Sequence, residues 1–260
     1  MARLLSRTVV LSLMLLNAIC LLAQGSQQAA PRVPAPDPNA SASELEERGD
    51  LLRAQKHYLD AIDFYKAAMA KQPSTLLWNK EGMSYLLLQR VPEASKCFDR
   101  AIKLDKQAPE GYNNRGYVEQ HNEHYNRAIK YYRKALSLRS DDAVFHYNMG
   151  SSYFGKHDYV SAAQEYRAAY GLDPTIFERV SKMGIMAQST SPENRAAFSF
   201  MLAKMCAQAG DVDRSLEYLR KAMEEGYKDI KKVYTDAEFA SLREDKRFTE
   251  LMAQKPQAIQ

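Results

Sequence analysis

Between residues 43 and 175 the apolar positions return in one arrangement four times over. Alanine, aromatic and alanine fall at i, i+4 and i+7 in Ala61, Tyr65 and Ala68, and again in Ala94, Phe98 and Ala101. The same triplet recurs in Ala128, Tyr132 and Ala135 and in Ala162, Tyr166 and Ala169. That spacing gathers the three side chains on one face of an α-helix. Twelve residues ahead of each triplet stands a glycine, at Gly49, Gly82, Gly116 and Gly150, with spacings of 33, 34 and 34. A glycine inside a helix costs roughly 1 kcal/mol relative to alanine. A cost repeated at one phase implies a close contact repeated at that phase. Pro73 and Pro174 close the first and fourth units at the same offset.

With Trp78 and Tyr85 added in the second unit, Gly82, Ala94, Phe98 and Ala101 form the fullest match to a known pattern. The chain resembles the tetratricopeptide repeat family, in which each unit of about 34 residues is a pair of antiparallel helices. The resemblance covers Ser43 to Pro174 and implies an all-α, right-handed α-solenoid with a concave inner face. The expected repeats are about 43–74, 75–108, 109–142 and 143–175, with turns at Lys56-His57, Gln89-Arg90, Glu123-His124 and His157-Asp158.

After Pro174 the phase is lost. Thr175 to Ala187 reads as helix and Ser189-Thr190-Ser191-Pro192 as a break, so 176–195 is expected to be an irregular helix and loop. Ala203, Cys206, Gly210, Ser215, Leu219 and Ala222 resume the register as a degenerate fifth repeat over 196–228. Residues 229–260, with Phe239, Leu242, Phe248 and Leu251, read as capping helices and a tail, because a solenoid needs its last apolar face covered.

The N-terminus follows other rules. Arg3 and Arg7 precede an apolar run from Thr8 to Ala23, then Ala23-Gln24-Gly25. A basic start, a short apolar core and small residues before a cleavage point describe a signal peptide over 1–25. The alternative is a retained membrane anchor, although a span wants roughly 20 apolar residues. Cys20 invites a lipidation signal, but bulky Ile19 stands where such signals place a small residue. Residues 26–42, SQQAAPRVPAPDPNASA, are rich in proline and alanine without period and read as a disordered linker. Asn39-Ala40-Ser41 is a glycosylation triplet only in a eukaryotic source. The expected location is exported, periplasmic or secreted if bacterial, or else membrane-anchored and facing outside the cytoplasm.

Hydrophobic content of 45% and charged content of 26% suit a globular protein. Removing the first 25 residues takes the net charge from +4 to +2, 34 basic residues against 32 acidic. That balance does not ask for nucleic acid, and the membrane enters only if the N-terminal helix is retained. Cys97 and Cys206 make no disulfide framework and read as small buried hydrophobes.

Projected from the family resemblance, the inner groove is lined by the first helix of each unit. It takes Asn79, Lys80 and Met83, then Asn113, Asn114, Tyr117 and His121, then Tyr147, Asn148 and Ser151. Asparagine amides pair with peptide backbone and tyrosines add rigid contact area, so a protein or peptide partner is implied. Asparagine there is also ordinary repeat consensus. The carboxylate clamp of some family members is incomplete, because Glu46, Glu47 and Asp50 would repel a carboxylate and Lys80 is the one well-placed cation.

Arg48, Glu81 and Arg115 precede the marker glycines, where the family is usually apolar. Two readings are open: an ion-pair ladder between repeats, or local pairs Glu44–Arg48 and Arg115–Glu119 at i, i+4. Of the five histidines, His121 and His124 lie near Glu119 and Glu123, a possible metal seed, but His57, His124 and His157 map to successive turns too far apart to share an ion. With no phosphate loop, His-Glu-x-x-His, CxxC or nucleophile elbow, the sequence points to a scaffold without cofactor and away from an enzyme.

Overall fold

The structure, a computed structural model, describes residues 33–182 and 192–254. The expected signal segment 1–25, the first part of the expected linker, residues 183–191 and the tail from 255 lie outside the described residues. Four helix pairs follow one another: α1 (Ala42–Ala54) and α2 (Tyr58–Lys71), α3 (Thr75–Leu87) and α4 (Val91–Leu104), α5 (Pro109–His121) and α6 (Tyr125–Leu138), α7 (Ala143–Gly155) and α8 (Tyr159–Leu172). The first helix of each pair has 13 residues and the second 14. The chain is an all-α solenoid, as the periodicity requires.

Each marker glycine lies against the aromatic of its own pair. A methyl group on Gly49, Gly116 or Gly150 would stand 2.6, 2.8 or 2.9 Å from the ring of Tyr65, Tyr132 or Tyr166. Those rings are buried, so they have nowhere to retreat. The hydroxyls at their tips are satisfied by the facing first helix. Tyr65 donates to Asp50 Oδ1 at 2.8 Å, Tyr132 to Gln120 Oε1 at 2.9 Å, and Tyr166 meets Ser151 Oγ at 3.0 Å. The second unit has Met83 after its glycine and, consistently, Phe98 with no hydroxyl to satisfy.

Within each pair the helices are joined by a left-handed residue that is not glycine. Lys56, Gln89, Glu123 and His157 have φ of 67, 58, 59 and 62°. The residue after each donates its N–H five positions back, as in His57 N to Leu52 O at 2.9 Å and His124 N to Glu119 O at 2.8 Å. This hydrogen bond closes the helix end and holds the turn in a conformation that ordinarily favours glycine.

The chain then inserts α9 (Ile176–Lys182) before α10 (Pro192–Gln208) and α11 (Val212–Glu224). Ala203 takes the phase of the marker glycine, 53 residues after Gly150 rather than 34, so 19 residues are inserted. In this fifth pair the glycine has become Ala203 and the aromatic Leu219, both fully buried. The added methyl is matched by the lost ring. Ser215 Oγ donates to the Ala203 carbonyl at 2.8 Å. Short 3₁₀ turns at Ile230–Tyr234, Ala237–Phe239 and Leu242–Glu244 and helix α12 (Lys246–Gln254) then close the apolar end. Val233, Phe239, Leu242, Phe248 and Leu251 pack there on Phe200 and Leu219.

The linker differs from expectation over its described part. Val33 and Ala40 pack on the core of the first repeat, and Lys71 Nζ donates to Pro38 O at 2.7 Å. Ser41 caps α1, accepting from Glu44 N at 3.2 Å while Glu44 accepts from Ser41 N at 2.7 Å. The proline-rich composition hid this because the segment is held by the repeat beside it and by no period of its own.

Candidate functional site

The first helices α1, α3, α5 and α7 meet through side chains one repeat apart in sequence. Asn148 Nδ2 donates to Asn113 Oδ1 at 2.9 Å, Asn113 Nδ2 to Asn114 Oδ1 at 3.3 Å, and Asn114 Nδ2 to Asn79 Oδ1 at 3.1 Å. A chain of amides thus crosses three repeats. The expected groove asparagines spend part of their hydrogen-bonding capacity on one another, and Asn79, Asn113 and Asn148 are buried. Asn114, Tyr117, Met83 and Ser151 are half-buried and His121 is exposed. Burial pushes the Tyr117 phenol up from its ordinary value, so it stays a neutral donor.

Lys80 is not an open cation. Its Nζ lies 2.5 Å from both Glu46 Oε1 and Asp50 Oδ2. Two of the three acidic residues expected to repel a carboxylate, Glu46 and Asp50, instead neutralise the lysine that would attract one. Burial disfavours the Asp50 charge, but hydrogen bonds from Lys80 and Tyr65 outweigh it and hold the carboxyl below its ordinary value.

Tyr147 is not part of an open groove. It is 3% exposed, and its ring meets Phe177 of α9 edge-on at 5.8 Å and Tyr166 at 5.5 Å. The inserted helix α9 folds back on α7 and covers this end. Phe177 supplies the aromatic lid, which no repeat pattern announces because α9 lies outside the repeat.

The inter-repeat ladder is not formed. Glu81 is buried, with Lys66 Nζ of α2 at 4.0 Å as its nearest cation. Arg115 bonds Asp99 of α4 at 3.0 Å and Glu119 at 2.5 Å. The position before the marker glycine faces the preceding second helix, so these residues never meet across first helices. Local pairing is present for Arg115–Glu119, whereas Glu44 is taken by the Ser41 cap. Glu119 also accepts from His124 at 3.0 Å and faces Arg127 at 3.6 Å, which makes it an ion-pair centre. No three metal-binding side chains converge among the described residues. Cys97 and Cys206 are buried and free, and burial pushes both thiols up to about 12. No described helix is long and apolar enough to cross a membrane.

Residues 75–108 and 109–142 each match a profile described as Tetratricopeptide repeat. Over 101 residues the chain is 31% identical to Hsp70-Hsp90 organizing protein 2 of Arabidopsis thaliana, spanning 38% of this chain and 18% of that one. It is 31% identical over 104 residues to human (Homo sapiens) Neutrophil cytosol factor 2, spanning 40% and 19%. The matched part is thus less than a fifth of the length of these relatives. Among solved structures, a thermophilic TPR protein of Thermus thermophilus superposes with a TM-score of 0.50 at 17% identity, over 82% of this chain and 100% of that one. The pilF protein of Pseudomonas aeruginosa does so with 0.50 at 16%, over 78% and 81%. These two likenesses concern the fold alone. Helix pairs of constant length, a glycine set against an aromatic in each and two matched profiles make this chain a tetratricopeptide repeat protein.

Proposed function

We propose that the chain is an exported scaffold that holds a protein or peptide segment against the face formed by α1, α3, α5 and α7. The observation that carries this reading is the amide chain from Asn148 to Asn79, which ties the first helices of three successive repeats into one polar face. Around it Asn114, Tyr117, Met83 and Ser151 keep surface to offer, and an amide with donors to spare pairs with peptide backbone. The relative named for organising Hsp70 and Hsp90 supports a protein-holding role.

A photo-crosslinking residue placed at Tyr117 or Ser151 is expected to capture a protein partner in the native host, and one at Leu59, exposed outside this face, is not. Equal capture from all three positions overturns the groove. Tyr117→Ala is the variant that tests contact; Tyr147→Ala is unsuitable, because it removes a core ring at a cost of about 3–5 kcal/mol. Export rests on the segment from Arg3 to Gly25 and has its own test. A mature N-terminus at Ser26 by mass spectrometry supports it, and one at Met1 overturns the cleavage.

A further inference from the structure

The near-neutral balance of the chain hides a local concentration of charge. Helix α6 contains Arg127, Lys130, Arg133 and Lys134 and no acidic residue, a formal +4 that equals the net charge of the entire chain. Helix α4 adds Lys96, Arg100 and Lys103 against Glu93 and Asp99. All seven cations are exposed. The other second helices balance: α2 has Asp60 and Asp63 against Lys66 and Lys71, and α8 has Glu165 against Arg167.

The fold brings α4 and α6 to either side of α5. Arg115 of α5 bonds Asp99 of α4 at 3.0 Å while its guanidinium lies 5.2 Å from the ring centre of Tyr131 in α6. Further along, Lys134 of α6 sits over Tyr112 of α5. Residues 112, 115 and 119 share the face of α5 roughly opposite Asn113 and Tyr117, and the cap residue Asn122 follows them. At the end of this face a cleft of about 410 Å³ opens, with Pro92 and Ser95 on one wall, Arg127 on the other, and Arg115, Glu119 and Asn122 between. The acids of the trough are already engaged, Asp99 by Arg115 and Glu119 by Arg115, His124 and Arg127. Lys96, Arg100, Lys103, Lys130 and Lys134 have no carboxylate within 4 Å among the described residues.

We propose that this trough is a second interaction surface, on the side away from the asparagine chain, that takes a short acidic polypeptide segment. Size and charge favour that occupant. A 14-residue helix is about 20 Å long, which roughly six residues of extended chain would span. A nucleic-acid duplex, with a charge about every 1.7 Å, or an anionic bilayer would need a broader field, and the balanced helices α2 and α8 on either side do not extend it. A cleft between helices admits a strand of peptide and excludes a flat surface.

The probe is a fluorescein-labelled peptide of alternating aspartate and glutamate, read by fluorescence anisotropy with the full chain at low and physiological salt. Saturable binding that weakens with salt is expected. Lys103→Glu with Lys130→Glu should weaken it about tenfold or more. The same charge change at Arg220→Glu with Lys231→Glu should leave it within about twofold, and Lys130→Ala alone should weaken it about two- to fivefold. Absence of saturable binding, equal losses in both charge-reversed pairs, or binding to phosphatidylglycerol vesicles or a DNA duplex without binding to the peptide would each overturn the proposal.

Discussion

Gly82 lies against the ring of Phe98, so close that a methyl group on its Cα would stand 2.8 Å from the ring Cζ. This pair states the packing rule of the array: the first helix gives up its side chain so that the second can insert an aromatic. Gly82→Ala is therefore expected to destabilise the chain by about 1–3 kcal/mol despite its better helix propensity. The fifth repeat shows the compensated form of the same contact, Ala203 with Leu219. Gly82→Ala combined with Phe98→Leu should accordingly cost less than the sum of the two single changes. Urea denaturation of the four proteins measures the coupling, and simple additivity would refute it.

The turns make the second prediction. Glu123 holds a φ of 59° without being glycine, whereas Gly210 holds 78° at the matching turn of the fifth repeat. Glu123→Gly should raise stability by roughly 0.5–1 kcal/mol, because relief of the left-handed strain exceeds the added entropy of the unfolded chain. Gly210→Ala should lower it by about 1 kcal/mol. Thermal midpoints that move in the same direction for both would contradict this account.

Glu81 makes the third. Its carboxylate is buried between repeats, Oε2 has no hydrogen-bond partner, and Lys66 is at 4.0 Å. Burial pushes its pKa above the ordinary 4.5. For an acid raised in this way, the folded state is penalised once pH exceeds the folded value, and the penalty vanishes below the unfolded one. Glu81→Met should stabilise the protein by about 1–3 kcal/mol at pH 7, with the gain shrinking as pH falls through the raised folded value toward 4.5. A gain that stays constant from pH 7 to pH 4 would assign it to packing instead.

The Lys80 bridge behaves with the opposite sign. Asp50 titrates below its ordinary 3.8, so its contribution is complete above that value and is lost as pH falls through the lower folded value. Lys80→Met should depress the melting temperature at pH 7, leaving Glu46 and Asp50 facing each other. The deficit should close in acid as Asp50 takes up its proton. Melting curves of both proteins from pH 7 to pH 3 follow it, and a deficit independent of pH would exclude the bridge as its source.

The periodicity alone determined the helix pairs from residue 42 to 172 and the contact demanded by each marker glycine. Those features depend on neighbours at fixed offsets within one unit, which sequence spacing records directly. Where the chain leaves the period, only the tertiary structure decided the outcome. It set Val33 and Ala40 on the first repeat, folded Phe177 over Tyr147, and matched Ala203 to Leu219. The candidate groove was legible as a set of positions but not in its bonding. Whether an asparagine stays open or is satisfied by another asparagine 35 residues away depends on how first helices meet across repeats. Charge divides in the same way. A total of +4 describes the whole chain, while the placement of the cations of α6 across α5 from those of α4 is a property of the packed array. Summation along a sequence discards position, and electrostatic attraction depends on it.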